Sequence, residues 1–328
     1  MSQSIVWPGT GRITLALLAV VPAAMAYPWN SNRDYWLIGI AAAVVIVLFS
    51  WWRGLHLTTI LGRRLAMLFR RRHHAHEFSS DTSATALLRV GPSDGGPDVF
   101  PLPLVAGYLN RYGIRADKVR ITSRGNASGT QETWVGLTIS AVDNLAALQA
   151  RSSRIPLHQT TQVAARRLAD HLREIGWEAG VVGAEEAPRL VTSVAREKWR
   201  GLPQGSDYLA AYRVAVDGEL PETLQAIRSH PSRETWTALE IAGEPTNYTV
   251  AAACAFRTER QPGSAPPLAG LVPQRGNQLP ALTTLNPLST RRLDGHTAAP
   301  ADLLTSLNWP TPLTGAHRAP LTEAAPRS

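Results

Sequence analysis

The sequence predicts an α/β fold, a mixed sheet with packed helices, as a cytoplasmic domain behind an N-terminal two-helix transmembrane hairpin. Three observations carry this. Residues 36–52 read WLIGIAAAVVIVLFSWW, seventeen residues without a charge. From residue 82 to about 260, short alternating strand patterns interleave with helical stripes. Beyond residue 261 prolines recur too often for regular structure to run far. The expected organisation is a hairpin over 1–54 with spans at about 13–29 and 36–52, a basic juxtamembrane helix and linker over 55–81, the α/β domain over 82–260, and a proline-rich strap and tail over 261–328.

The first apolar segment, Ile13 to Tyr27, lies at the lower length limit for a span and contains Pro22. It also reads as a signal peptide, because Ala24-Met25-Ala26 resembles a small-residue cleavage site. Either way the second span returns the chain to the cytoplasm. Trp36 at one end and Trp51 and Trp52 at the other stand where indole rings favour the headgroup boundary. Arg53, Arg63, Arg64, Arg70, Arg71 and Arg72 follow and hold their side inside, while the outer loop Pro28 to Tyr35 carries only Arg33 and Asp34. Gly39, Ala42 and Ala43 offer a close-packing face to another helix. From Leu57 to Arg72, leucines at three- and four-residue spacing alternate with arginine pairs repeating every seven. That pattern fits a helix lying along the inner leaflet, and equally a helix continuing into solvent or onto a partner.

In the soluble part, residues 85–90 alternate as a strand and Pro103 to Tyr112 reads as a helix closed by Gly113. Strands at 118–123 and 132–140 flank a small polar hairpin loop, Arg124 to Gly129. Asp143 or Asn144 caps a short helix through Gln149. Thr161 to Ile175 is an amphipathic helix with Ala165, Leu168, Leu172 and Ile175 on one stripe, ended by Gly176. Strands at 177–182 and 208–216, a helix at 221–229, and a hairpin of 235–241 with 248–256 complete the domain. Helical crossovers together with hairpins predict one mixed sheet. Leucines such as Leu268, Leu279, Leu282, Leu285 and Leu304 keep the segment past 261 too apolar for a disordered tail, so it is expected to strap onto the domain or a partner, loosening after Pro310.

The formal charge of +8 is concentrated in the juxtamembrane run, which points to membrane lipids and not to nucleic acid. One cysteine, Cys254, excludes an internal disulfide and lies in an apolar run typical of a buried small side chain. His73, His74 and His76 lack the carboxylate or thiol company of a metal site, and Glu185 and Glu186 are adjacent in a loop, where paired carboxylates rarely do chemistry. No phosphate loop, dinucleotide fingerprint, nucleophile elbow, HExxH or paired CxxC is present. No catalytic residue, cofactor or metal is expected.

The segments LGRRLAMLFRRR, FPLPLVAGYLNRYGIRADKVRITSR and ETWVGLTISAVDNLAALQARSSRIPLHQTTQVAARRLADHLREIGWEA, behind a two-span hairpin, resemble EccE, a membrane component of the mycobacterial type VII (ESX) secretion machinery. The resemblance runs from the first span to about Phe256 and is strongest from Val99 to Trp177. It implies a non-catalytic subunit of the inner-membrane core complex, assembled with EccB, EccC and EccD, of which EccC is the ATPase, with the loop Pro28 to Tyr35 in the periplasm. Two other classes remain alternatives at this point: a membrane-tethered transferase acting on a lipid or nucleotide-sugar substrate, and a tethered nucleic-acid binder motivated by the arginines.

Overall fold

The structure is a computed structural model that describes residues 10–25, 27, 32–49, 51–52, 55–70, 82–93, 99–152, 155–191, 196–300 and 302–309. Two compact units result, Met1–His73 and His74–Ser328.

The first unit holds α1 (Thr10–Met25), α2 (Asn32–Phe49), two-residue strands β1 (Trp51–Trp52) and β2 (Leu55–His56), and α3 (Leu57–Arg70). α1 packs on α2, and the pair's buried residues are small: Ala16 and Ala23 on α1, seven apart and so on one face, and Ala41 on α2. Both helices begin and end earlier than the expected spans: α1 has sixteen residues and stops at Met25, and α2 has eighteen but covers 32–49 in place of 36–52. Among the described residues no helix is long and apolar enough to cross a membrane. The sixteen residues of α1 rise roughly 24 Å against a hydrocarbon core of about 30 Å. α2 uses its first turn on Asn32, Arg33 and Asp34 and stops at Phe49, where Trp51 and Trp52 pair with His56 and Leu55 instead of extending the helix.

The second unit is built on β3 (Ser83–Ser93), α4 (Leu102–Ala106), β4 (Asn110–Arg111), β5 (Ile114–Asn126), β6 (Gln131–Ser140), α5 (Leu145–Gln149), α6 (Leu157–Glu174), β7 (Trp177–Val182), β8 (Leu202–Gln204), β9 (Asp207–Val214), α7 (Leu220–Ser229), β10 (Glu234–Glu244), β11 (Asn247–Thr258), β12 (Leu271–Pro273), α8 (Gln278–Thr284), β13 (Thr297–Ala298) and α9 (Leu303–Ser306). The main strand order is β12-β9-β11-β10-β5-β6-β3-β7. It is antiparallel throughout the described pairs, a correction to the mixed sheet. The crossovers explain this. β3 leads through α4 to β5, which runs in the same direction, but β6 inserts between them and satisfies both edges antiparallel.

That arrangement, β3-α4-β5-β6-α6-β7 in the order β7-β3-β6-β5, is a split βαβ unit. The second half repeats it. β9-α7-β10-β11-β12 lies in the order β12-β9-β11-β10, with irregular chain where a second helix would precede β12. The halves join edge to edge through β5 and β10, so each supplies the strand that protects the other's open edge.

Alternation then sorts side chains onto two faces. Val119, Ile121, Leu239 and Ile241 point to one, where Leu102 and Val105 of α4, Leu168 and Leu172 of α6, and Leu224 and Ile227 of α7 cover them. Trp236, Ala238, Ala251 and Ala255 point to the other, covered by Leu190, Leu202, Leu282, Leu285 and Leu293. The proline-rich segment is therefore a strap on the sheet.

Two local expectations are corrected. The helix expected to reach Tyr112 ends in a short 3-10 turn at Leu109, because Tyr112 (φ 57°) and Gly113 (φ 70°) form the tight turn between β4 and β5. Asn144 stands at the start of α5 but caps nothing; its side chain instead accepts from the Arg115 N–H and donates to the carbonyls of Arg115 and Ser140.

Candidate functional site

A cluster of buried charged groups lies at the centre of the sheet, under the strap. β5 and β10 pair with Arg120 opposite Glu240, and Lys118 is two residues along on the same face of β5. Lys118, Arg120 and Glu240 are all buried to within 1% exposure. Arg120 donates through Nε at 2.8 Å and Nη2 at 2.5 Å to Glu240 Oε2, and its remaining N–H groups reach the carbonyls of Thr284, Asn286 and Arg291 at 2.5–3.0 Å. All five guanidinium donors are thereby used. Glu240 Oε1 accepts the Leu293 N–H at 2.9 Å and lies 2.9 Å from His296 Nε2. Lys118 Nζ stands 3.5 Å from Glu240 Oε2 and donates to the Arg291 carbonyl.

Two strand cations thus share one carboxylate. Burial works to raise the Glu240 carboxyl, but the charge of Arg120, the His296 hydrogen bond and Lys118 together outweigh it and hold it at about 2. Burial lowers Lys118, the neighbouring Arg120 lowers it further, and Glu240 recovers only part, which leaves the amine at about 7. A lysine near neutrality beside an arginine is a nucleophile pattern. Here it is sealed: its Nζ is engaged by strap carbonyl and carboxylate, and a neighbouring cavity of about 230 Å³, lined by Arg213, Gln274, Asn277, Arg291 and Arg292, does not include it. The arrangement locks the strap to the sheet.

A second charge pattern crosses the same face near the hairpin end. Arg257 on β11, Glu234 on β10, Arg124 on β5, Glu132 on β6 and Arg89 on β3 alternate in sign over five neighbouring strands, with contacts of 2.6, 2.5, 3.7 and 3.0 Å. Beside it Trp134 and Trp236 stack at 6.4 Å. Among the described residues no group of His, Cys, Asp and Glu could hold a metal ion.

The residues singled out from the sequence lie in the first unit. Trp36 is exposed at the start of α2, and Trp51 and Trp52 form β1. Arg63 and Arg64 are on α3, where Leu61 and Leu65 are exposed, and Arg70 ends it. Arg53, Arg71 and Arg72, with His73, His74 and His76, lie outside the described residues. Gly39, Ala42 and Ala43 are exposed, and a side chain built at Gly39 meets nothing within 4 Å; the pairing with α1 buries Ala41 instead. The charged cluster was missed because Lys118-Val119-Arg120-Ile121 reads as an ordinary strand with one wet face. The available signal was the apolar, proline-rich segment that needs a surface to cover.

Comparison with known proteins bears on this arrangement. The family model for EccE, described as a type VII ESX secretion system translocon, matches residues 127–214. Two curated relatives from Mycobacterium tuberculosis, strains CDC 1551 / Oshkosh and H37Rv, each named ESX-3 secretion system protein EccE3, are 65% identical over 326 residues, covering 98% of both chains. A Mycolicibacterium smegmatis protein of the same name is 51% identical over 291 residues, 89% of this chain and 92% of its own.

Proposed function

This chain belongs to the EccE family, and on that footing we propose that it is a non-catalytic assembly subunit of a type VII (ESX) secretion complex in the bacterial inner membrane. The observation that carries the reading is the 65% identity over nearly the whole length of relatives named as ESX-3 secretion system proteins. The partners are the other membrane subunits, EccB, EccC and EccD, with EccC supplying the ATPase; this chain contributes surface and anchorage.

The anchor is the α1–α2 pair. Its short apolar lengths enter the bilayer where neighbouring helices and local thinning accommodate the mismatch. Gly39, Ala42 and Ala43, open on α2, receive a partner helix, and Trp36, Trp51, Trp52 and Arg53 mark the interfaces. α3 lies on the inner leaflet with Leu61 and Leu65 toward lipid and Arg63, Arg64 and Arg70 near headgroups, ahead of Arg71 and Arg72. The domain and its strap, residues 82–260 and 261–328, are cytoplasmic, and residues 28–35 face the periplasm.

Topology labelling tests the orientation. Cys254 is fully buried with its thiol pushed well up by burial, so it cannot report. With Cys254→Ala and a cysteine placed by Ser128→Cys on the exposed β5–β6 loop, a membrane-impermeant maleimide is expected to leave intact cells unlabelled and to label after permeabilisation. Labelling in intact cells contradicts the orientation.

A further inference from the structure

The helix-covered face of the sheet contains a cavity of about 430 Å³ at the hairpin end of β5 and β10. Its floor is made of small residues, Ser123 and Gly125 from β5 and Thr235 and Thr237 from β10. Farther along the same face of these strands stand Val119, Ile121, Leu239 and Ile241, which fill the core. A side chain built at Gly125 meets nothing within 4 Å, so the floor is open where a larger residue would close it. Leu224 and Arg228 of α7 form one wall and Trp309 another. Trp309 is fully buried and fixed: its Nε1 donates to Ser123 Oγ at 3.0 Å, and that oxygen lies 2.9 Å from Thr133 Oγ1.

The polar groups left over in this cavity point to a ligand. The arginines nearby in the fold hold carboxylates: Arg124 and Arg257 hold Glu234, and Arg233 holds Asp207 and Glu259. Arg228 has no hydrogen-bond or ion-pair partner among the described residues, and the Thr237 hydroxyl has none either. No carboxylate lines the cavity. His230, also on its wall, packs its ring on Phe256 at 4.6 Å and is lowered by burial, so Arg228 is the fixed positive charge there. A space of this volume, part apolar and with few convergent polar groups, suits a small organic molecule. The absence of carboxylates and thiols argues against a metal ion.

We propose that this cavity binds a small amphipathic organic anion, with its apolar body between Leu224 and Trp309, its carboxylate or phosphate on Arg228, and Thr237 completing the contact. Affinity comes from the buried body, and selection for charge comes from one guanidinium that the fold leaves unneutralised.

The test is calorimetric titration of the full chain in a neutral detergent with 1-naphthoate and with its uncharged isostere 1-naphthamide. One saturable naphthoate site per chain is expected, with naphthamide at least about tenfold weaker, the loss appropriate to a charged hydrogen bond. Arg228→Gln, at the exposed end of α7, is expected to weaken naphthoate at least about tenfold and to abolish the preference over naphthamide. Gly125→Val, which fills the floor, is expected to remove both ligands. Absence of a saturable naphthoate site overturns the proposal, as does equal affinity for the two ligands or naphthoate binding unchanged in a folded Arg228→Gln protein.

Discussion

Arg120 takes one oxygen of Glu240 while Leu293 and His296 hold the other, and Lys118 beside them is the surplus cation; this ordering sets how the domain responds to pH. The amine at about 7 compares with an ordinary 10.5 in the unfolded chain. Below about 7 both states carry the proton and the full cost of burying it is present. Between about 7 and 10.5 only the unfolded chain keeps the proton, so stability rises with pH across that window. Glu240 works at the acid end. Held at about 2 against 4.5, it contributes stability above 4.5 that is lost as pH falls toward 2. Lys118→Met is therefore expected to raise the urea midpoint at pH 6 and to flatten the rise between 7 and 10.5. Glu240→Gln leaves the buried Arg120 charge without its carboxylate and is expected to cost about 3–5 kcal/mol at pH 7. A Lys118→Met protein that keeps the wild-type pH slope contradicts the assignment.

At the scale of elements, the strap and the anchor carry separate predictions. Gly136 on β6 lies opposite Arg120, and a Cβ there stands 2.5 Å from the Pro287 carbonyl oxygen, so the strap crosses the sheet at the one place where that strand has no side chain. Gly136→Val is expected to lift the strap, to cost about 2–3 kcal/mol, and to open the Arg291–Arg292 bond to trypsin; resistance equal to wild type contradicts the contact. On α2, Ala42→Leu with Ala43→Leu is expected to leave the domain's unfolding unchanged but to weaken recovery of the partner subunits, since these positions lie away from the buried Ala41. Normal recovery argues against a packing face. Most elements of the domain were legible, because Leu168 and Leu172 keep helical spacing and Val119, Ile121, Leu239 and Ile241 keep strand spacing. What alternation could not reveal is what covers each face. Lys118, Arg120 and Arg124 look like a solvated strand face until residues from 270 onward fold over part of it, and local pattern carries no information about a contact across about 170 residues. Tyr112 was misjudged for a different reason: positive φ is uncommon at an aromatic residue, and nothing but the following glycine hinted at a turn.

For the whole molecule, the split βαβ unit used twice and joined through β5 and β10 yields a wide sheet with both faces occupied, one by helices and one by the strap. The strongest electrostatics are used internally: the centre fastens the strap, and the alternating charges from Arg257 to Arg89 stitch five strands. None of this extended organisation was visible as a motif. The halves share topology without sharing a repeated sequence signature, and the family likeness of the middle of the chain supplied the function that chemistry-bearing motifs did not. The most direct measurement is recovery of the secretion complex in mild detergent from host cells that carry or lack this chain, with subunits quantified by mass spectrometry. With the chain present, EccB, EccC and EccD are expected to be recovered with it in fixed proportion, and without it the remaining subunits are expected to fall apart or yield far less complex. Intact complex at normal recovery in its absence contradicts the account.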